Sequence, residues 1–247
     1  EADTKRLESW QSLAKTITRL KGVGIITTSR TEPPEPLEAL RLGPLTKEQA
    51  DTLLTNEVGA NLPGEALEFI YSKAAGNPLY TLEYLRLLSR QGSLWNDGKS
   101  WHWRKPEQSI MPITVEALIE LTLSNLQDEK LETALQTKAL LPPATEDELW
   151  AKVAELSGRD LEAAKLEFRQ QRIFSDGSFA HPLYREVTLK NLPKAKRQQL
   201  ARRALETFQD EPVKAAPFID DALLENEKAL ELLKRASKGA KENKDEV

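Results

Sequence analysis

Cysteine is absent from this sequence, histidine occurs twice and methionine once, at Met111. The first absence removes disulfides, thiolate metal sites and thiol nucleophiles together. The two histidines, His102 and His181, stand far apart, and no His/Glu spacing matches a zinc site. Neither a G-x-S-x-G nucleophile elbow nor a phosphate loop occurs. No apolar run approaches the roughly 20 residues of a membrane span. A basic excess is also missing: the net charge is −4, so no global field attracts nucleic acid or anionic lipid. A chain that starts at Glu1 and holds its one methionine at 111 is expected to be a piece of a longer protein. A cytoplasmic setting is the expectation.

What is present is an ordinary globular composition, 39 % apolar and 30 % charged, with length enough for several small cores. Leu7, Trp10, Ala14 and Ile17 form one helical stripe. The β-branched run Val23 to Thr28 reads as a buried strand, followed by the proline-rich loop "TEPPEPLEAL". Helical patterns follow, over "LTKEQADTLLTNEVG", with Thr46 and Gln49 at capping-box spacing, then over Pro63 to Gly76, then over "NPLYTLEYLRLLSRQG". Asn96-Asp97-Gly98 marks a turn, and Trp101 and Trp103 share one face of its second strand, so "SLWNDGKSWHWR" reads as an aromatic hairpin. Pro106 and Pro112 flank a linker.

Four helices are expected at about 114–127, 129–141, 145–157 and 160–172, then a second hairpin around Asp176-Gly177. Helices followed by a two-stranded hairpin outline a winged helix. An amphipathic tail, Ile219 to about Lys238, reads as the opening helix of a repeat array that would need further repeats to bury its face. The acidic pair Asp220-Asp221 reads as helix-start charge.

Taken in order, "EAD", "GIITTSR", "LRLGPLTKEQADTLL", "AAGNPLYTLEYLRLL" and "FAHPLYREVTLKNLPKAKRQQLARRALE" resemble the C-terminal half of a signal-transduction ATPase module. This is the STAND branch of the AAA+ ATPases, found in bacterial regulators and adenylyl-cyclase-associated proteins. The likeness runs over roughly residues 1–210. It implies a mainly α chain in five parts. These are the edge of an α/β nucleotide-binding domain (1–44), a helical lid (45–92), the aromatic hairpin and linker (93–112), a winged-helix domain (113–210) and the start of a helical-repeat region (211–247).

The resemblance also implies roles for particular residues. Glu1, Ala2 and Asp3 resemble the tail after the Walker B acids. Arg30, ending "GIITTSR", resembles the sensor-1 arginine, whose guanidinium suits a phosphate oxygen. Gly76 and Pro78 match the lid's G-x-P element, in which glycine allows close backbone approach and the proline ring lies on the adenine. His181 matches the winged-helix histidine that reaches the β-phosphate of ADP. Pro182 stands where better-known eukaryotic members carry aspartate. On the residues alone each has a second reading: Arg30 as a solvated strand end, Gly76-Asn77-Pro78 as a helix cap, and His181 as a structural residue.

The implied cofactors are ATP and ADP, with magnesium in the intact parent protein. The implied partners are a preceding nucleotide-binding domain with Walker motifs, an inducer or protein bound through helical repeats, and other copies in an assembly. Signal-responsive transcription control is the expected setting, and no catalysis is expected from this chain alone. Two further functions fit the pattern: a winged-helix DNA-binding regulator and a helical interaction scaffold. Lys194, Lys196, Arg197, Arg202 and Arg203 form a basic set on one helix. The mixed charge of "RDLEAAKLEFRQQR" argues against direct duplex binding.

Overall fold

Helix-forming segments, several of them followed by a left-handed residue such as Ala75, Glu155 or Leu223, make this a mainly helical protein. The computed structural model describes residues 39–106, 114–223 and 226–245, with isolated positions 12, 16, 26 and 28. The chain divides into two compact units, residues 1–46 and 47–247.

In the first unit Ser12 and Thr16 are helical, and the Thr16 hydroxyl donates to the Ser12 carbonyl at 2.9 Å. Of the expected strand, Ile26 and Thr28 are described. Neither lies in a strand, and Ile26 is 98 % exposed, so the expected burial is not found there. A lone strand gains neither ladder bonds nor a covered face without a sheet to join. Arg30 and Glu1, Ala2 and Asp3 lie outside the described residues, as does the rest of the strand.

The second unit opens with α1 (Lys47–Val58), α2 (Gly64–Ala74) and α3 (Pro78–Arg90). A hairpin, β1 (Leu94–Asn96) paired antiparallel with β2 (Trp101–Trp103), closes over them. Leu54, Leu62, Ala66, Ile70, Leu85, Leu88 and Leu94 form the first core. Trp101 and Trp103 pack against it from one face of β2, and the Trp103 ring lies 5.3 Å from Phe69. On the other face Trp95 stacks on His102 at 5.4 Å.

The hairpin tip is held by polar bonds. Asp97 Oδ1 accepts the N–H groups of Lys99 and Ser100, both at 2.8 Å, and Oδ2 meets His102 Nε2 at 2.8 Å. These bonds, the Ser100 N–H foremost, hold the Asp97 carboxyl at about 2, below the usual carboxylate range. A carboxyl depressed on folding contributes stability above its unfolded value of about 4, and that contribution is lost as pH falls toward the folded value. Acid titration of tryptophan fluorescence is expected to show a local transition between about pH 4 and 2. Asp97→Asn is expected to abolish it, whereas an unchanged titration in that variant assigns the transition elsewhere.

Next come α4 (Val115–Ser124), α5 (Glu129–Leu140), α6 (Asp147–Ala154) and α7 (Gly158–Gln170). The two-residue strands β3 (Phe174–Ser175) and β4 (Ser178–Phe179) pair antiparallel around Asp176-Gly177, and α8 (Pro182–Asn191) and α9 (Lys194–Thr207) follow. Trp150, Val153, Leu161, Phe168, Phe174, Val187, Ala201 and Phe208 centre the second core. Asp128 caps α5 and Ser157 caps α7, each accepting a first-turn N–H. Glu155, at φ 55°, ends α6 before the expected residue 157.

The expected tail helix from Ile219 is broken. Pro212–Ala215 (α10), a 3₁₀ turn at Ala216–Phe218 and Ile219–Ala222 (α11) precede α12 (Asn226–Asp245). Phe218, Ile219 and Ala222 are buried, and the Ala222 carbonyl accepts from Arg202 Nε at 3.2 Å. That anchoring and the left-handed Leu223, at φ 51°, end the helix where periodicity alone runs on. No helix among the described residues is long and apolar enough to cross a membrane.

Candidate functional site

Two helix starts in the second unit carry the same pattern, a polar cap followed by Pro-Leu-Tyr: Asn77-Pro78-Leu79-Tyr80 and His181-Pro182-Leu183-Tyr184. At the first, Asn77 Oδ1 accepts the Tyr80 N–H at 3.1 Å, and Pro78 occupies the first helical position, where no N–H is needed. The approach to it is sharply bent. Ala75 and Gly76 both take left-handed backbone, at φ 47° and 76°. For the alanine this conformation costs about 1 kcal/mol, whereas glycine adopts it freely. Gly76 is buried, while Asn77 and Pro78 are exposed.

At the second start the cap is His181 itself. Its Nδ1 accepts the Leu183 N–H at 3.1 Å. An accepting Nδ1 places the ring proton of the neutral imidazole on Nε2, where it serves as a donor. His181 is half-buried and Pro182 exposed. Gly76-Asn77-Pro78 thus includes a helix cap, and His181 has a structural role as the cap of α8. Each cap uses one side-chain atom and leaves the proline that follows it, Pro78 or Pro182, exposed.

The two helices are bonded to each other one turn further in. Glu83, in the second turn of α3, is completely buried. Its Oε1 accepts the Tyr184 hydroxyl at 2.6 Å and also contacts the Arg86 guanidinium. Burial first, then the negative Glu83, pushes the Tyr184 phenol well above its ordinary range, so it remains a donor. Arg86 Nη2 lies 3.5 Å from Glu57 Oε1 on α1, and Glu57 in turn pairs with Arg172, just past α7. Arg90 donates to the Thr122 hydroxyl at 2.8 Å, and that hydroxyl donates to the Leu118 carbonyl at 3.0 Å. Leu79 and Leu183 both pack against the second core.

Sequence reasoning did not single out Glu83, Arg86, Glu57 or Tyr184, and it met Arg172 only as part of the mixed-charge stretch "RDLEAAKLEFRQQR". One signal was present. Glu83 lies four residues from both Leu79 and Leu87, so a carboxylate interrupts an apolar stripe, and a charge so placed needs a buried partner.

The basic set of α9 is occupied internally at three of its five positions. Arg197 donates to the Leu189 carbonyl at 2.8 Å and lies 3.6 Å from Asp221; Arg202 holds the Ala222 carbonyl; Arg203 pairs with Glu155. On α7, Lys165 pairs with Glu162 at 2.8 Å and with Asp147, and Asp160 with Lys130 at 2.9 Å. Among the described residues no group of three or more His, Cys, Asp or Glu side chains is placed to hold a metal ion.

Thus Gly76, Pro78 and His181 stand at the starts of two helices joined through Glu83 and Tyr184, while Arg30 lies outside the described residues. No family model, no curated protein and no solved structure matches the chain.

Proposed function

We propose that this chain is the lid and winged-helix part of a STAND-type nucleotide switch. In this reading α1–α3 form the lid, α4–α9 with the β3–β4 hairpin form the winged helix, and α10–α12 open a helical-repeat sensor. The remnant of the α/β nucleotide domain belongs to residues 1–44. ADP holds lid and winged helix against that domain. Exchange for ATP, with an inducer bound, releases them for assembly and signal-responsive transcription control. A ligand drives such a change only by binding the two arrangements with different affinity.

The observation that carries the reading is the pair of matched helix starts on helices bonded through Glu83 and Tyr184. The residues suit a nucleotide. The exposed Pro78 ring has no N–H and offers an apolar face for a base, next to the left-handed turn at Ala75-Gly76. His181 Nε2–H, beside a helix N-terminus, suits a phosphate oxygen. Arg30 enters this reading through the resemblance alone, as a guanidinium suited to a phosphate oxygen. Magnesium and the phosphate loop would be supplied by the preceding domain, so this chain alone is not expected to turn over ATP.

The DNA-binding reading ranks second because Arg197, Arg202 and Arg203 already hold carbonyls and carboxylates of the fold.

The test is the coding sequence upstream of Glu1. An in-frame G-x-x-x-x-G-K-[ST], followed by an apolar run ending in paired acids, is expected. A start codon after a short leader lacking a phosphate loop would defeat the reading.

A further inference from the structure

Helix α4 faces both cores at once. Leu118 belongs to the first and its neighbour Ile119 to the second; Leu121 packs on the first, while Val115 and Leu123 pack on the second. Alone, such sharing joins two cores by an apolar seam that slides without losing directed bonds. The polar side chains around Glu83 change this.

They form a continuous path from Arg172 to Glu57, Arg86, Glu83 and Tyr184. Both ends come from the α5–α9 group, and the middle three residues come from α1 and α3. The path therefore enters the first group and returns. Its inner end is dry, since Glu83 is 0 % exposed, whereas the Arg172 side chain is 50 % exposed. Arg90 adds a second tie, from α3 to Thr122 on α4. Separating the groups would break the Glu83–Tyr184 bond, a hydrogen bond to a charged acceptor, and leave the carboxylate with Arg86 of its own helix.

We propose that Glu83 is the coupling residue of residues 47–223, whose bond to Tyr184 makes the two helical groups open and close as one cooperative body. The coupling rests on these contacts alone. Its consequence for the switch rests on the proposed function: lid and winged helix would leave the nucleotide domain together, without parting from each other.

Native-state hydrogen exchange on the 247-residue chain across a denaturant series tests the coupling. In the wild type, amides of α3 (78–90) and α8 (182–191) are expected to exchange through a shared opening with one free energy and one denaturant dependence. Tyr184→Phe and Glu83→Gln keep the volume and remove or weaken the bond. In either variant α8 and α3 are expected to diverge, one group opening about tenfold or more as often as the other, the scale of a hydrogen bond to a charged group. Two distinct openings in the wild type would overturn the proposal. So would variants in which both helices lose protection equally, because Glu83 would then be a stability element without a coupling role. A failed coupling leaves the nucleotide reading standing, and a missing upstream phosphate loop leaves the coupling standing.

Discussion

Glu83→Ala is expected to destabilise residues 47–223 by about 3–5 kcal/mol, the cost of breaking a buried charged pair from one side. The alanine removes the acceptor of the Tyr184 hydroxyl and the partner of Arg86, and it leaves a cavity on the α3 face that meets α8. The Arg86 guanidinium then keeps Glu57 as its remaining carboxylate, and its Nε already lacks a hydrogen-bond partner. Glu83→Gln keeps the volume and one acceptor, and Tyr184→Phe removes one donor. Each is expected to cost less, about 1.5–3 kcal/mol. Urea unfolding of the three variants checks the order. A Glu83→Ala penalty no larger than that of Tyr184→Phe would mean that the carboxylate is solvated or paired elsewhere.

Trp150→Ala is expected to cost about 3–5 kcal/mol, through lost contacts and a residual cavity in the second core. Trp150 is completely buried, its indole N–H donates to the Ala134 carbonyl at 2.9 Å, and its ring lies 6.0 Å from Phe174. Its ring also faces a cation. Lys138, only 5 % exposed, holds its ammonium 5.1 Å from the Trp150 ring centroid and donates to the carbonyls of Pro143 and Thr145 at 3.2 and 3.3 Å. Burial lowers the Lys138 pKa; the negative Asp147 opposes that shift, and the ring and the two carbonyls also face the ammonium. Trp150→Phe retains an aromatic face and is expected to lose under half as much as the alanine variant. Equilibrium denaturation checks both, and a near-neutral Trp150→Ala would contradict the packing described for the second core.

The sequence carries the local half of this account. Asn77-Pro78 reads as a helix start because a cap bonds within three residues of itself, whereas the cap Ser157 falls at the end of the helix expected over 145–157. The hairpins read equally well, because Asp97-Gly98 and Asp176-Gly177 satisfy their own turns. Periodicity fails where the partner is distant. Nothing near Glu83 in the sequence names Tyr184, 101 positions away, although the carboxylate between Leu79 and Leu87 announces that some partner exists. The same distance hides the fate of Arg202, whose bond to the Ala222 carbonyl turns a residue of a basic cluster into an anchor and helps end the tail helix at Leu223. Charge density alone suggests a surface for phosphate, whereas the fold spends much of that charge on its own carbonyls and carboxylates. The strand expected at 23–28 is a different case, since a strand's burial is decided by its sheet, and no partner strand can be read from these residues.

The nucleotide reading turns on His181, whose Nδ1 caps α8 and whose Nε2 carries the proton. The deciding measurement is the rate at which fluorescent ADP leaves a longer protein carrying the proposed upstream nucleotide domain, compared between wild type and His181→Ala. Asn at the same position serves as a control that keeps a helix cap. Faster release in both variants, tenfold or more, is the predicted result, because a hydrogen bond to a phosphate oxygen is charge-assisted. Release unchanged in both would contradict the account and leave His181 as a cap alone.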